Sequence, residues 1–447
     1  MSTSVSSEPS RARPWVLPLV DACALLVIIV VDLRRIARSL PLAVSGDEWR
    51  YLYYANNLLH GFYSPRNRIF LWNGPAYPML LMPFVKVDWI EGARYANAFL
   101  HAGAIAYGWS LLRSRLPTPW AVAAILLFGV YAPLQEHLPL LLTEVLCFFL
   151  VTAWIYHALK SRTSRTHTIL AGCYLGVLCL TKVAFGAALT AFLVVMFVVW
   201  LRRQSAMVKA YLVQGALAFA LCVPYLGYTY DLTGRAFYWS TVSPNAFYWL
   251  SSPYPDEWGD WYHQGWVYEN PILRAHHKAI FDQTTGLGQN RNLSVQEQVF
   301  NMSTPEAGEI WWKQGVRNVR EHPLKFAKNL CGNVVRLFLD VPVSVRGTPF
   351  VNEYTVWHLP MLALTAFAAI VAKQQGVRPP RASWPIGLFA LLVFGAYSLG
   401  SGRARYVIPL VPMWWLGTAC LLGAVYDARR PKSRKVLHAG GLAREGV

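Results

Sequence analysis

Two adjacent carboxylates, Asp47 and Glu48, precede Arg50 and Tyr51 shortly after the first long apolar stretch of the chain. Residues three positions apart lie on one face of a helix, so Asp47 and Arg50 would place an acid beside a base. A carboxylate there could act as a general base while the guanidinium holds an anion. The alternative is an interfacial helix with Asp47 as its N-cap, and residues 46–51 alone favour it.

Four further ionisable residues lie at the outer ends of apolar segments, where a charge is costly unless it serves a site or has a partner. They are Glu144, Lys182, Arg403 and Arg405. Structural salt bridges could explain any one of them, but together they favour a site that handles an anion beside a general base. Such a site suits transfer from a phosphate-linked donor, because cations stabilise the departing phosphate while the carboxylate deprotonates the acceptor hydroxyl.

The elements that must position these residues are membrane helices. Of the 447 residues, 55% are hydrophobic and 14% are charged, against about 25% charged in average soluble proteins. One span needs about 20 apolar residues, and we predict ten spans, at residues 15–31, 93–112, 119–134, 139–159, 168–180, 184–201, 210–230, 355–372, 384–400 and 406–426. The chain is therefore predicted to be an all-α polytopic membrane protein with about ten transmembrane helices.

The net charge is +18, and the positions of the basic residues follow the predicted topology. Every second short connection between spans is basic, and these four connections hold eleven basic and no acidic residues. The positive-inside rule makes their side cytoplasmic, with both termini inside. Only Arg34, Arg35 and Arg38, after the first span, disagree. The basicity is thus a topology signal, which excludes a nucleic-acid partner and predicts a multi-pass protein of the cytoplasmic (inner) membrane.

The predicted organisation has five parts. A cytoplasmic segment (1–14) precedes a transmembrane core (15–230) whose first outer loop covers 32–92, and a large periplasmic or extracellular loop (231–354) leads to C-terminal helices (355–426) and a basic cytoplasmic tail (427–447). Residues 74–87 are short, apolar and rich in proline, which indicates an interfacial or re-entrant outer helix. A helix from Pro323 has an apolar face and should lie flat on the membrane.

The first part of the large loop is dense in aromatic residues, which include Phe237, Tyr238, Trp239, Phe247, Tyr248, Trp249, Tyr254, Trp258, Trp261, Tyr262, Trp266 and Tyr268. An interfacial aromatic belt and a platform that stacks on sugar rings or a lipid chain explain this density equally well. The sequence has no phosphate-binding GxxxxGK[ST] loop, no HExxH and no Asp-x-Asp pair. We therefore expect no cofactor and assign no metal ligands, although a divalent metal is left open.

These motifs resemble the GT-C superfamily of membrane glycosyltransferases, in the branch of the protein O-mannosyltransferases and the lipid A aminoarabinose transferase. The resemblance covers most of the chain and includes the Asp-Glu pair after the first span, the proline-rich outer helix, the Thr-Glu of the fourth span and the long outer loop. By this resemblance Asp47 matches the catalytic acidic position and Glu144 the second acidic residue. Arg50 and Tyr51 match donor-site residues.

Two further motifs look like those of the family, and one departs from it. Lys182 ends a Leu-Thr-Lys motif, and Arg405 and Tyr406 begin a last-span motif that runs to Pro409. The aminoarabinose transferase branch has a phosphate-contacting lysine before two prolines, whereas residues 72–75 here read Trp-Asn-Gly-Pro. Arg68 is the candidate for the missing charge.

The resemblance implies an inverting glycosyltransferase that moves a sugar from a polyprenyl-phosphate-linked donor to a hydroxyl of an envelope lipid, glycan or protein. Its site would lie on the periplasmic or extracellular face, with membrane lipids around it. Whether Asp47 or Glu48 is the base stays open. One alternative is an oligosaccharide ligase that uses a polyprenyl-diphosphate donor. The other is a transporter or flippase of lipid-linked sugar, for which inverted repeats and broken helices would be expected.

Overall fold

Apolar chain segments satisfy their backbone hydrogen bonds within a membrane by forming helices. The computed structural model of this protein is accordingly built from helices. It describes residues 16–67, 69–162, 164–255, 259, 302, 304–341, 351–378, 381–400 and 402–429. Every regular element among these residues is helical. In chain order the α-helices are α1 (Val16–Ser39), α2 (Asp47–Leu59), α3 (Ala76–Lys86), α4 (Ile90–Arg113), α5 (Thr118–Gly129), α6 (Ala132–Gln135), α7 (Thr143–Lys160), α8 (Arg165–Thr181), α9 (Val183–Arg203), α10 (Ala206–Thr233), α11 (Val242–Leu250), α12 (Thr304–Glu321), α13 (Pro323–Leu339), α14 (Glu353–Gln374), α15 (Trp384–Ser398) and α16 (Val411–Arg429).

Each of the ten predicted spans overlaps at least one of these helices, and the all-helical, multi-pass membrane protein is confirmed. Among the described residues, five helices are long and apolar enough to cross a membrane by length and composition, and α5 and α15 are shorter apolar helices. Several helix boundaries differ from those of the predicted spans. Helix α1 continues to Ser39 and carries Arg34, Arg35 and Arg38, and α5 ends at Gly129, before the short helix α6 that contains Pro133.

Helix α7 lies at the centre of the bundle. Its apolar window is 78% buried within the protein, whereas those of α9, α10 and α14 are 33%, 33% and 28% buried. The latter three therefore have the lipid-facing surface expected of peripheral membrane helices, while α7 packs against α4, α8 and α16. Because Glu144 lies in the first turn of α7, the most enclosed helix carries one of the two site carboxylates.

Two short helices, α2 and α3, lie between α1 and α4. Helix α3 falls within the predicted outer segment 74–87, and it packs on α2 and α8. Gly74, just before α3, approaches the end of α8 so closely that a Cβ atom there would lie 2.0 Å from the carbonyl oxygen of Leu180. The contact joins the loop after α2 to the backbone just before Lys182.

Three helices lie wholly within the described part of the predicted large outer loop (231–354), namely α11, α12 and α13. Tyr248 and Trp249 of α11 form a buried cluster with Ala307 and Trp311 of α12, so these rings are core residues of the loop. The aromatic residues Trp258, Trp261, Tyr262, Trp266 and Tyr268 lie outside the described residues. On α13, Leu324 is 86% exposed, in keeping with an apolar face turned toward the membrane.

Candidate active site

Asp47 begins α2 and is held by two arginines. Arg50, one turn further along the same helix, approaches its Oδ1 to 3.2 Å, as the spacing predicts. Arg405 donates a hydrogen bond to Asp47 Oδ2 from a short helical turn at residues 404–406, ahead of α16. The carboxylate is 23% exposed and the Arg405 side chain 19% exposed, so a ligand can reach both from outside.

Glu144 forms the second half of the site. Lys182, which joins α8 to α9, donates a hydrogen bond from Nζ to Glu144 Oε1 at 3.0 Å. The same oxygen lies 3.9 Å from Arg405 Nε. Glu144 Oε2 is buried without a hydrogen-bond partner within the described part of the chain. Glu144 thus lies beneath the two cations, and its side chain is only 2% exposed.

These side chains form one charge cluster, made of Asp47, Arg50, Glu144, Lys182 and Arg405. Arg405 contacts both carboxylates, and the three cations outnumber the two anions. Asp47 and Arg405 are 358 positions apart. The cluster therefore exists only in the folded protein, and its excess of positive charge would favour the binding of an anion.

Opposing effects act on the Asp47 carboxyl group. Burial raises its pKa, but the charges of Arg405, Arg50 and Arg403 outweigh that effect and hold the pKa below the ordinary value of 3.8. Asp47 is therefore ionised at neutral pH. While both arginines are in place, it is also a weak proton acceptor, because a base with a low pKa accepts a proton reluctantly.

Aromatic residues surround the cluster. The Arg50 guanidinium lies 4.4 Å from the centre of the Trp72 ring, and Lys182 Nζ lies 5.0 Å from that of Tyr406. The Tyr51 hydroxyl accepts a hydrogen bond from Asn73 Nδ2 at 3.0 Å. Burial raises the pKa of Tyr51 well above its usual range, and the nearby Glu144 carboxylate adds to the rise. Tyr51 therefore stays protonated.

Glu48 points away from the charge cluster. Its Oε1 lies 3.3 Å from Arg94 of α4 and accepts a hydrogen bond from the backbone N–H of Leu141 at 2.9 Å, while Oε2 accepts one from Ser45 N–H. Glu48 and Arg94 are 2% and 1% exposed. Of the two adjacent carboxylates, the structure brings only Asp47 to the cluster and places Glu48 in a buried ion pair.

Sequence reasoning missed the support that α4 provides. Asn97, one turn after Arg94, donates hydrogen bonds to the carbonyl oxygens of Leu138 and Leu140 at 2.9 and 3.0 Å. With Glu48, it fixes the segment that leads into α7 and Glu144. An Arg and an Asn three positions apart within an apolar helix were the available signal, because buried polar groups in a span need partners.

Two predicted residues stand apart from the cluster contacts given above. Arg68 lies outside the described residues. Arg403 precedes the turn of Arg405, and its charge acts on the Asp47 carboxyl group. Within the described part of the chain, no group of three or more His, Cys, Asp or Glu side chains could hold a metal ion. The expectation that the protein needs no cofactor stays a prediction.

Comparison with known proteins gave two matches. No protein-family model and no curated protein matches the chain. The crystal structure of ArnT from Cupriavidus metallidurans bound to undecaprenyl phosphate is similar, with a TM-score of 0.37 and 15% sequence identity over 93% of this chain and 79% of that one. The apo structure of the same protein gives a TM-score of 0.38 and 15% identity over 92% and 77% of the two chains.

Proposed function

We propose that this protein is a membrane glycosyltransferase of the GT-C type. It transfers a sugar from a polyprenyl-phosphate-linked donor to a hydroxyl of an envelope lipid, glycan or protein, with inversion. The observation that carries the proposal is the charge cluster, in which the partly exposed carboxylate of Asp47 lies beside Arg50 and Arg405. A general base next to an anion site is what transfer from a phosphate-linked donor requires.

Donor binding activates the base. In the free protein Arg405 and Arg50 are paired with Asp47, and their charges depress its pKa. The donor phosphate competes for the same two guanidinium groups, because phosphate accepts several charge-assisted hydrogen bonds. Once they turn to the phosphate, Asp47 loses much of its compensating charge and its pKa rises. The carboxylate thus becomes an effective base only when the leaving group is already bound.

The chemical step is a displacement at the anomeric carbon. Asp47 takes the proton of the acceptor hydroxyl, and the acceptor oxygen forms a bond to that carbon from the face opposite the phosphate. The bond from the carbon to the phosphate oxygen breaks, and its electron pair leaves on the phosphate. Arg50, Arg405 and Lys182 stabilise the new charge. Attack from the opposite face inverts the configuration.

Glu144 acts through its neighbours in this proposal. It is 2% exposed, so it holds Lys182 and Arg405 in place for the phosphate rather than contacting the sugar. These cations supply the charge that a divalent metal would bring to a leaving phosphate. Transfer should therefore continue at an unchanged rate after exhaustive dialysis against EDTA, whereas a loss that Mg²⁺ or Mn²⁺ restores would show a metal requirement.

The site faces the periplasm or cell exterior of an inner-membrane protein in this proposal. The charge cluster lies at the start of α7 and the end of α8, whereas basic residues follow the opposite ends of α4, α7 and α9. The positive-inside rule assigns those basic ends to the cytoplasm. Sugar nucleotides are cytosolic, so the donor at this face is carried by a lipid that the bilayer already holds.

Mass spectrometry of envelope glycolipids and glycans tests the function. Cells that lack the protein are restored with the wild type, with Asp47→Asn or with Asp231→Asn, whose exposed carboxylate pairs with Arg66. We expect products short of one sugar, restored by the wild type and by Asp231→Asn only. Loss of a whole oligosaccharide would favour a ligase. Full restoration by Asp47→Asn would overturn the assignment of the base and favour transport.

A further inference from the structure

Helix α13 buries a polar stripe against the protein. Asn329, Asn333 and Arg336 follow one another at helical spacing and are 0%, 0% and 2% exposed. Leu324 and Val335 are exposed on the same helix. A buried side-chain amide is retained where backbone groups need it as a partner, so each asparagine identifies a piece of chain that α13 holds in place.

Asn333 holds the chain that leads to Arg405. Its Nδ2 donates hydrogen bonds to the carbonyl oxygens of Ser398 at 2.7 Å and Gly400 at 3.1 Å. The last carbonyls of a helix have no partner within the helix, and Asn333 supplies one just after α15 ends. A Cβ atom on Gly402 would lie 1.8 Å from Asn333 Oδ1. The fit leaves no room for a side chain three residues before Arg405.

We propose that Asn333 is a positioning residue that sets the place of the Arg405 guanidinium between Asp47 and Glu144. Asn333 belongs to the large outer loop, so the loop affects the reaction although Asn333 contacts neither the donor nor the acceptor. This inference rests on the proposed function in assigning Arg405 to the donor phosphate. A displacement of about 1 Å in a group that binds the reacting centre can reduce turnover about a hundred-fold. The Asn333 amide can therefore affect turnover by setting the position of Arg405, without contacting the reacting centre itself.

Asn329 is a matched control one turn earlier. It has the same residue type and the same burial, and its Nδ2 donates to two carbonyl oxygens, those of Leu250 and Ser252, both at 2.9 Å. These carbonyls belong to the end of α11. Replacing either asparagine by alanine removes the donor to two carbonyl groups, of which only that of Gly400 is partly buried rather than buried, so the stability costs should be similar. Only Asn333 adjoins the chain that leads to Arg405.

The first experiment compares hydrogen exchange of the full-length protein in detergent. Asn333→Ala should speed exchange at residues 402–407 and leave residues 245–252 as in the wild type, and Asn329→Ala should do the reverse. If the alanine variants do not fold, Asn333→Ser and Asn329→Ser replace them. Equal exchange at residues 402–407 in both variants would overturn the positioning role, whatever the reaction.

The second experiment measures binding of undecaprenyl phosphate and the pH profile of transfer. Asn333→Ala should weaken binding about ten-fold, the equivalent of one charge-assisted hydrogen bond. The acidic limb of kcat/KM should also move to higher pH, because Arg405 no longer depresses the pKa of Asp47 fully. Asn329→Ala should change neither. Equal changes in both variants would overturn the inference.

A double-mutant cycle tests whether the contact between Gly402 and the Asn333 amide affects binding of undecaprenyl phosphate. Gly402→Ala should impair binding in the wild type and less so in Asn333→Ala, because the clash with the amide is gone. Additive effects would contradict the contact. If exchange and the cycle follow expectation while binding of undecaprenyl phosphate is unchanged, Arg405 does not hold a phosphate, and it is the proposed function that fails.

Discussion

At the scale of single residues, the central feature is that the proposed base, Asp47, has its carboxylate paired with two arginines in the free protein. Two arginines hold its pKa low, although a base works best with a pKa near the operating pH. The same arginines are the groups that an anionic donor would engage. In the proposed mechanism, the same contacts therefore hold the Asp47 carboxylate in the free protein and release it as a base when the donor is bound.

This exchange of partners predicts two different pH profiles. The acidic limb of the kcat/KM profile reports a pKa of the free enzyme, and the acidic limb of the kcat profile reports a pKa of the substrate complex. The limb that Asp47 sets in kcat/KM should lie below the ordinary carboxyl value of 3.8, because its pKa is lowered, and the limb in kcat should lie at higher pH. Steady-state rates across the acidic range measure both. Acidic limbs of kcat/KM and kcat at the same pH would contradict an exchange of the arginines from Asp47 to the donor phosphate.

Removal of Arg405 should have the matching effect on the free enzyme. A carboxyl group whose pKa is lowered in the folded protein regains part of its ordinary pKa when the cation is lost. Arg405→Gln should therefore shift the acidic limb of kcat/KM upward, besides lowering the rate. Arg235→Gln, in an outer ion pair with Glu309, is the control and should leave the limb in place.

Substitutions of the two neighbouring carboxylates, Glu48 and Asp47, should have different effects on stability and on activity. Glu48→Gln leaves the fully buried Arg94 without its counter-charge, which costs about 3–5 kcal/mol for a buried pair. Its melting temperature in detergent should fall markedly. Asp47→Asn should keep the melting temperature within a few degrees and lose transfer by several orders of magnitude. The reverse pattern would show that Glu48 is the base.

At the scale of elements, short contacts between distant segments of the chain fix the charge cluster. The loop before α3 lies against Leu180, and Lys182 follows two residues later. Asn97 and Glu48 hold the entrance of α7, and α13 holds the chain after α15. Lys182, Glu144 and Arg405 are thus each placed by a contact that another part of the chain makes with nearby backbone.

Gly74 gives a test of this placement. In Gly74→Ala, the new Cβ would lie 2.0 Å from the Leu180 carbonyl oxygen, so backbone must shift, and Lys182 with it. We expect a lower melting temperature and a loss of transfer of at least ten-fold, measured beside Gly387→Ala. A Cβ on Gly387 meets no atom within 4 Å, so that variant should behave as wild type. Wild-type activity in Gly74→Ala would rule out this packing role.

The sequence predicts helices better than it predicts the contacts between them. Apolar length predicted segments that all overlap helices, and spacing predicted the ion pair of Asp47 with Arg50. The partner of Glu48 could not be predicted, because Arg94 is brought to it by packing of α4. The role of Asn333 was hidden for the same reason. It depends on carbonyl groups 65 and 67 residues away.

At the scale of the whole molecule, charge is divided between the two ends of the helices. The cluster occupies one end, and α4, α7 and α9 have Arg113, Lys160, Arg202 and Arg203 in their last turns at the other. The enclosed helix α7 connects the two ends. By the positive-inside rule, this division favours the proposed orientation, with the basic ends in the cytoplasm and the charge cluster at the opposite face.

Cysteine labelling in intact cells tests the orientation. Arg66→Cys and Arg162→Cys place single thiols at exposed positions that the predicted topology puts on opposite sides of the membrane. The variant that carries them has its seven native cysteines replaced by alanine. A membrane-impermeant maleimide should label the first in intact spheroplasts and the second only after lysis. Labelling of Arg162→Cys in intact spheroplasts would invert the topology and put the site in the cytoplasm.

The most direct measurement of the central claim is the discharge of the donor itself. Membranes from cells that lack the protein are incubated with the purified wild type, Asp47→Asn or Asp231→Asn, and their polyprenyl phosphates are followed by liquid chromatography and mass spectrometry. We predict that one glycosylated polyprenyl phosphate disappears as the free polyprenyl phosphate and a glycosylated acceptor appear, with the wild type and Asp231→Asn only. Discharge at the wild-type rate by Asp47→Asn, or no discharge by the wild type, would contradict the account.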